Sequence, residues 1–378
     1  MIYADNAATT KLDKDALEAM LPWLQEEYGN ASQPYTFARK PKKALANARA
    51  IIAQCIGAEP EEIFFTSGGT ESDNWAIKGL LEYGDQRSTI TSQIEHHAVL
   101  HACEAIERLG YPVAYLSVDS RGIVTPEELS RMITEQTKLV SVMMVNNEIG
   151  TIEPIKSLAA IAHTHGALFH TDAVQAVGHI PINVKELGVD MLSASAHKFN
   201  GPKGIGFLFI KKGTPIHPYA DGGAQESRMR AGTENIAAII GMAVALKKNC
   251  DTILATETQL RKVEEAFLGT LHEAKIDFIR NGSENRVPGN VSISIRGASG
   301  EMLLHRLDLK RISISTGSAC DSVNTQLSHV IRAISVPEAY EEGTIRVSFG
   351  RDNDVDEAIQ IATAIVDILN VSPAQNNR

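Results

Sequence analysis

From about residue 45 to 215, short β-branched runs alternate with helical patterns. Parallel neighbours can be joined only by a crossover long enough to hold a helix, so this alternation implies a parallel sheet covered on both faces. Ile63–Thr66 reads as a strand, followed by a Ser-Gly-Gly turn and a helix over Glu71–Leu81, and Ser88–Ser92 precedes a helix around Val99–Leu109. Pro112–Val118, Lys138–Val145, Ala167–Thr171 and Met191–Ala194 read as further strands, with Gly204–Ile210 as an antiparallel strand at an edge. Two helices follow, Ile236–Lys247 and Glu257–Ala274. The texture then changes to strands Asn290–Ile295 and Ile312–Thr316, a helix His329–Ile334, a strand Thr344–Phe349 and a last helix Val355–Leu369. We take residues 15–255 as a large α/β domain. Residues 1–14 with 256–378 are taken as a small α+β domain that carries Cys320.

At 378 residues, a chain with 43% apolar residues can bury a core without metal or disulfide staples. Its 36 Lys and Arg against 46 Asp and Glu leave a formal charge of −10, the wrong sign for gripping phosphate backbones, so direct nucleic-acid binding is not expected. No apolar run approaches the ~20 residues of a membrane span, and Met1–Thr10 lacks a basic stretch followed by an apolar one. A cytoplasmic location is expected. Cys55, Cys103, Cys250 and Cys320 stand far apart with no CxxC spacing, so neither a disulfide framework nor a metal site is encoded locally.

Ser-Ala-His-Lys-Phe-Asn-Gly-Pro-Lys-Gly at 195–204 follows a buried strand and places Lys198 beside histidine and glycine. In isolation such a lysine is a solvated loop residue. In an apolar, histidine-flanked pocket its amine would lose a proton more easily, as a Schiff-base lysine requires. Asp172 and Gln175, in His-Thr-Asp-Ala-Val-Gln, follow another strand, and ligands of parallel sheets sit beyond the carboxyl ends of the strands. Lys198 and Asp172 are therefore expected to face one site. Pyridoxal phosphate needs this pair, an amine for its aldehyde and a carboxylate beside its ring nitrogen. Alone, Asp172 would be a helix cap.

Thr-Ser-Gly-Gly-Thr-Glu-Ser at 66–72 leads into a helix whose first amides can hold an anion, although it lacks the lysine of a P-loop. His96, in Ile-Glu-His-His-Ala-Val, follows a strand and could stack on a flat ring or simply cap a helix. Asn146, Asn147 and Glu148 lie at another strand end, where their side chains could bond a phenolic oxygen or a carboxylate, or only build a turn. Cys320, in Ser-Thr-Gly-Ser-Ala-Cys-Asp-Ser, differs from the other cysteines in standing among small polar residues, the setting of a nucleophilic thiol.

With these motifs in order, the chain resembles the cysteine desulfurases, class V aminotransferase-family enzymes that include the nitrogen-fixation and iron–sulfur-assembly desulfurases. The likeness runs from Tyr-Ala-Asp-Asn-Ala-Ala-Thr-Thr at 3–10 to Met-Arg-Ala-Gly-Thr-Glu-Asn at 229–235 and Ile-Arg-Val-Ser-Phe-Gly-Arg at 345–351. It implies the pyridoxal-phosphate-dependent transferase fold of type I, with a mainly parallel seven-stranded sheet in the large domain and a smaller carboxyl-terminal domain.

By position, the resemblance makes Lys198 the Schiff-base lysine, Asp172 the partner of the ring nitrogen, His96 the stacked residue and Gln175 the holder of the phenolic oxygen. Gly69, Thr70, Ser195 and His197 would bind phosphate, with Thr233 reaching the neighbouring subunit's site in a homodimer. Asn147 and Arg346 would hold the carboxylate of L-cysteine, and Cys320 would take its sulfur as a persulfide, leaving alanine. An acceptor such as an iron–sulfur scaffold or a tRNA-thiolation enzyme is implied, and the only metal contact would be a cluster meeting that persulfide. The alternatives are a selenocysteine lyase, another enzyme of this fold, or a low-turnover cofactor-bearing partner subunit. The chain departs from the family pattern at Ala31 and Tyr35, where proline and histidine are usual, and at Leu327, which stands in place of a proline.

Overall fold

The computed structural model describes residues 1–82, 84–316 and 327–371. In chain order these form β1 (Ile2–Tyr3), α1 (Lys14–Gln25), α2 (Arg39–Ile56), β2 (Ile63–Thr66), α3 (Gly69–Lys78), β3 (Ser88–Ser92), α4 (His97–Arg108), β4 (Val113–Leu116), α5 (Pro126–Met132) and β5 (Thr137–Ser141). Next come α6 (Ile155–Thr164), β6 (Leu168–Asp172), α7 (Val184–Leu187), β7 (Met191–Ser195), β8 (Gly206–Ile210) and α8 (Ile236–Glu273). The remainder is β9 (Phe278–Arg280), β10 (Asn290–Ile295), α9 (Gly300–Leu309), β11 (Ile312–Ser313), α10 (His329–Ala333), α11 (Glu338–Glu341), β12 (Thr344–Ser348) and α12 (Val355–Val371).

Seven strands form the central sheet in the order β2-β8-β7-β6-β5-β3-β4. From β7 to β4 every pairing is parallel, and β8 runs antiparallel to both of its neighbours. The short turn between β7 and β8 cannot hold a crossover helix, so reversal is the only connection available to it. The expected edge position is corrected: β8 lies inside the sheet and β2 takes the edge. All five residues of Gly-Phe-Leu-Phe-Ile are buried, which an edge would not permit. Gly206 matters here because a Cβ would lie 2.3 Å from the Ala194 carbonyl oxygen and 2.7 Å from the Gly68 Cα, so only glycine lets β8 and the turn after β2 meet.

The two helices expected over 236–247 and 257–274 are one, the 38-residue α8, about 57 Å long at 1.5 Å per residue. The polar stretch between them suggests a break, but it contains neither Gly nor Pro. Its Asn249 is buried and donates from Nδ2 to the Phe199 carbonyl at 2.6 Å, so its polarity is satisfied inside the fold. The first half of α8 packs through Ala238, Met242 and Leu246 into the core of the large sheet. Its second half packs through Leu260, Val263, Phe267 and Leu271 into a separate core with β10, β12 and α12.

That second core is covered by an antiparallel sheet in the order β12-β10-β9 and by a two-stranded parallel pair, β1 with β11. Strands of two or three residues are too short to show alternation, which is why β1 and β9 are absent from the sequence reading. β11 ends at Ser313 rather than Thr316, with Ser315 making one further bridge to Arg346.

Candidate active site

The carboxyl ends of β6 and β7 and the loops after β2, β3 and β5 open into a cavity of about 610 Å³. Its wall takes in Gly69, Thr70, His96, Asn147, Asp172, Gln175, Ser195, His197, Lys198 and Arg346, so the tertiary fold brings together residues that span most of the chain. Thr233 is exposed and does not line this cavity. Cys320 lies outside the described residues. Tyr35, at 48% exposure, is also away from the cavity.

Lys198 ends a short turn, Ala196–Lys198, directly after β7. Its Nζ donates to the carbonyls of Ala7 at 2.6 Å and Ala8 at 2.8 Å, while His179 Nε2 donates to the Lys198 carbonyl at 2.9 Å. Thr10 donates to the His197 carbonyl and Thr9 Oγ1 bonds His197 Nδ1 at 3.0 Å. The amino-terminal segment thus clamps the lysine turn, a role that sequence reasoning did not assign to Ala7, Ala8 or Thr9. Gln175 Nε2 donates to the same Ala7 carbonyl at 2.9 Å.

Asp172, at the end of β6, accepts from the Val174 amide at 2.9 Å, so it does cap the following turn. Burial lifts its pKa to about 6 against the pull of that amide and of Lys198. His96 both caps a helix and faces the cavity. Its Nδ1 accepts from the Ala98 amide at 3.1 Å, and burial, helped by the Lys198 charge, pushes its pKa down to about 4. The neutral ring therefore carries its proton on Nε2.

Beneath Asp172 lies a buried polar layer that the sequence analysis missed. Asp73 is raised well above the carboxylate range by burial and by the Asp172 charge, and its Oδ1 has no hydrogen-bond partner among the described residues. Glu95 is lifted to about 8 by burial, although its Oε1 accepts from Ser92 Oγ at 2.6 Å and the Met143 amide at 3.0 Å. Between them, His170 bonds the hydroxyls of Ser141 and Ser193 and is pushed down to about 3 by burial. The available signal was periodicity, since Gly69, Ser72, Asp73 and Ala76 share the buried face of α3.

At the N-terminus of α3, Gly68 has φ of +150° and a Cβ on Gly69 would lie 2.6 Å from Val174 Cγ2. Glycine there lets the helix N-terminus lie against Val174, and Gly69, Thr70, Ser195 and His197 share one stretch of the cavity wall, the donor set of an oxyanion site. Arg346, on β12, is 4% exposed. Its Nη2 bonds Asp5 Oδ1 at 2.8 Å and its Nη1 the Asn147 carbonyl at 2.9 Å, while the buried Nε has no partner among the described residues. Asn146 is spent on its own turn, accepting from the Glu148 and Ile149 amides. Glu148 instead accepts from Ser328 Oγ at 2.6 Å, joining this loop to the residue after Leu327.

A mainly parallel sheet with a lysine on the turn after one strand and a carboxylate at the end of its neighbour defines the type I fold of pyridoxal-phosphate-dependent enzymes. The profile of the aminotransferase class-V family matches residues 2–361, and the chain belongs to that family. A cysteine desulfurase IscS from Dictyoglomus turgidum is 46% identical over 382 residues, covering 98% of this chain and 96% of its own. Among solved structures, a NifS-like protein superposes with a TM-score of 0.92 at 36% identity, covering 98% of this chain and 99% of its own. SspA, solved in complex with cysteine, gives 0.83 at 34% identity, covering 92% of this chain and 99% of its own. No helix among the described residues is long and apolar enough to cross a membrane.

Proposed function

We propose that this chain is a pyridoxal-phosphate-dependent cysteine desulfurase that moves the sulfur of L-cysteine onto Cys320 and releases L-alanine. The observation that carries the reading is the opening of Lys198, Asp172 and His96 into one cavity beside the α3 N-terminus. The first amides of α3, with Thr70, Ser195 and His197 as further donors on the cavity wall, suit a phosphate. Asp172 would meet the ring nitrogen, Gln175 the phenolic oxygen and His96 the ring face. When bound, the cofactor draws off the electron pair released at the substrate α-carbon.

Lys198, released from the Ala7 and Ala8 carbonyls, accepts the α-proton. Arg346 and Asn147 hold the substrate carboxylate, the arginine already aimed by Asp5. The Cys320 thiolate attacks the substrate sulfur, so an S–S bond forms, the Cβ–S bond breaks, and the carbon keeps the electron pair and takes a proton. The persulfide then passes to an acceptor protein such as an iron–sulfur scaffold or a tRNA-thiolation enzyme. Thr233 completes the partner's site in a homodimer, and the small domain of residues 1–14 and 256–378 carries Cys320.

Reconstitution with pyridoxal phosphate tests the reading. The wild type should gain a visible absorption band, become labelled at Lys198 on borohydride reduction and form alanine from cysteine. Cys320→Ser should keep the band and lose alanine formation, and Lys198→Ala should lose the label and at least about 10²-fold in rate. A wild-type protein that stays colourless and unlabelled overturns the assignment.

A further inference from the structure

Away from the active site, an open hollow of about 780 Å³ is lined by four arginines from four different segments: Arg121, Arg261, Arg280 and Arg286, with Glu264 and Glu284. Each guanidinium is held in a way that leaves capacity for a ligand. Arg121 uses Nε and Nη2 on Asp119, and Arg261 uses the same atoms on Glu257. Both of these pairs are local and exposed, the kind that contributes little and is readily exchanged. The Nη1 atoms of both have no partner among the described residues. Arg280 is fixed by Glu264 at 2.6 Å, and its buried Nε has no acceptor among the described residues.

Arg286 is the unusual member. It is 7% exposed, and its guanidinium donates to the carbonyls of Asn281 at 3.0 Å and Gly282 at 3.3 Å. Among the described residues it makes no ion pair within 4 Å, so its direct partners are carbonyl dipoles, with Glu264 and Glu284 favouring its charge from farther off. Burial and the neighbouring Arg280 charge push its pKa down to about 10. Four arginines against two glutamates leave the hollow with an excess of positive charge, and a buried guanidinium beside a second one, with no carboxylate in direct contact, is stabilised when an anion enters.

We infer that this hollow binds a small multivalent oxyanion of the phosphate class. A single carboxylate could not span arginines arriving from the loop at Arg121, from α8, from β9 and from the loop at Arg286, whereas a group with several charged oxygens can accept from more than one fork. The hollow also crosses a seam. Thr151 Oγ1 donates to the Arg121 carbonyl at 2.8 Å and accepts from the Ser283 amide at 3.0 Å, and the Val287 amide donates to the Gly150 carbonyl at 2.9 Å. A ligand held by Arg121 on one side and by Arg280 and Arg286 on the other ties these two segments together.

The test uses cofactor-loaded enzyme, so that the α3 phosphate site is filled, titrated calorimetrically with inorganic pyrophosphate at constant ionic strength, and with ATP in a second arm. Saturable binding of pyrophosphate is expected, together with a raised melting temperature. In the exposed double variant Arg121→Gln/Arg261→Gln the affinity should fall at least about tenfold, with the cofactor band unchanged. Equal affinity for ATP would identify the phosphates alone as the recognised group, and tighter binding of ATP would identify a nucleotide. Absence of saturable pyrophosphate binding, or undiminished affinity in the double variant, would overturn the inference. Neither result depends on desulfurase turnover.

Discussion

Asp172 is the side chain on which the electrostatics of the cavity turn. Asp73 and Glu95 beneath it are pushed toward their neutral forms, Asp73 by burial and the Asp172 charge and Glu95 by burial, and Glu71 on the same wall is paired with Arg230, which leaves Asp172 to meet a cation. Its pKa of about 6 without a bound cation carries a sign that can be measured. Below that pH the protonated carboxyl cannot pair with a ring cation, so cofactor affinity should weaken as pH falls through about 6. Asp172→Asn should abolish this dependence and lower kcat on the order of 10²-fold. Equilibrium titrations with pyridoxal phosphate from pH 5 to 8 read the first effect, and steady-state alanine formation reads the second. His96 adds no charge of its own in this range, because burial already keeps it neutral.

Two elements set the site's shape. The first is the turn between β2 and α3, where Gly68 and Gly69 bring helix amides against Val174 and Ser195. Gly69→Ala should raise the dissociation constant for pyridoxal phosphate about tenfold or more, since the new methyl must push Val174 toward the cavity. Adding Val174→Ala should restore most of the affinity, and a double variant no better than the single would show that the clash is not the cause. The second element is the amino-terminal segment, whose Ala7 and Ala8 carbonyls hold Lys198 although 190 or more residues separate them in sequence. The motif at 3–10 was visible, but nothing in it signals that its carbonyl groups would do the binding, because backbone acceptors carry no side-chain identity.

Across the whole molecule, stability should depend on pH through Glu153. It is 4% exposed, with one oxygen accepting from the Val124 amide at 2.9 Å and the other without a partner among the described residues, and burial raises its pKa to about 8. In the unfolded chain the same group ionises near about 4.3. The folded state therefore binds more protons between those values, and Glu153's contribution is full below pH 4 and is lost as pH rises toward 8. Glu153→Gln should narrow the gap between urea midpoints at pH 5 and pH 8, by on the order of 2 kcal/mol in unfolding free energy; an unchanged gap would assign the dependence to other groups. The sequence by itself determined the alternating strands and helices, the sense of β8 and the motifs whose residues, from Gly69 to Arg346, line the cavity. Each of these is written in local periodicity, connection length or a short motif. Tertiary structure alone decided that β8 lies inside the sheet, that α8 runs unbroken past Asn249, that Asp73, Glu95 and His170 lie beneath Asp172, and that four distant arginines share one hollow. These outcomes depend on which partner each residue meets after folding, and a buried polar group declares itself only when its hydrogen-bond partner from another part of the chain is in place.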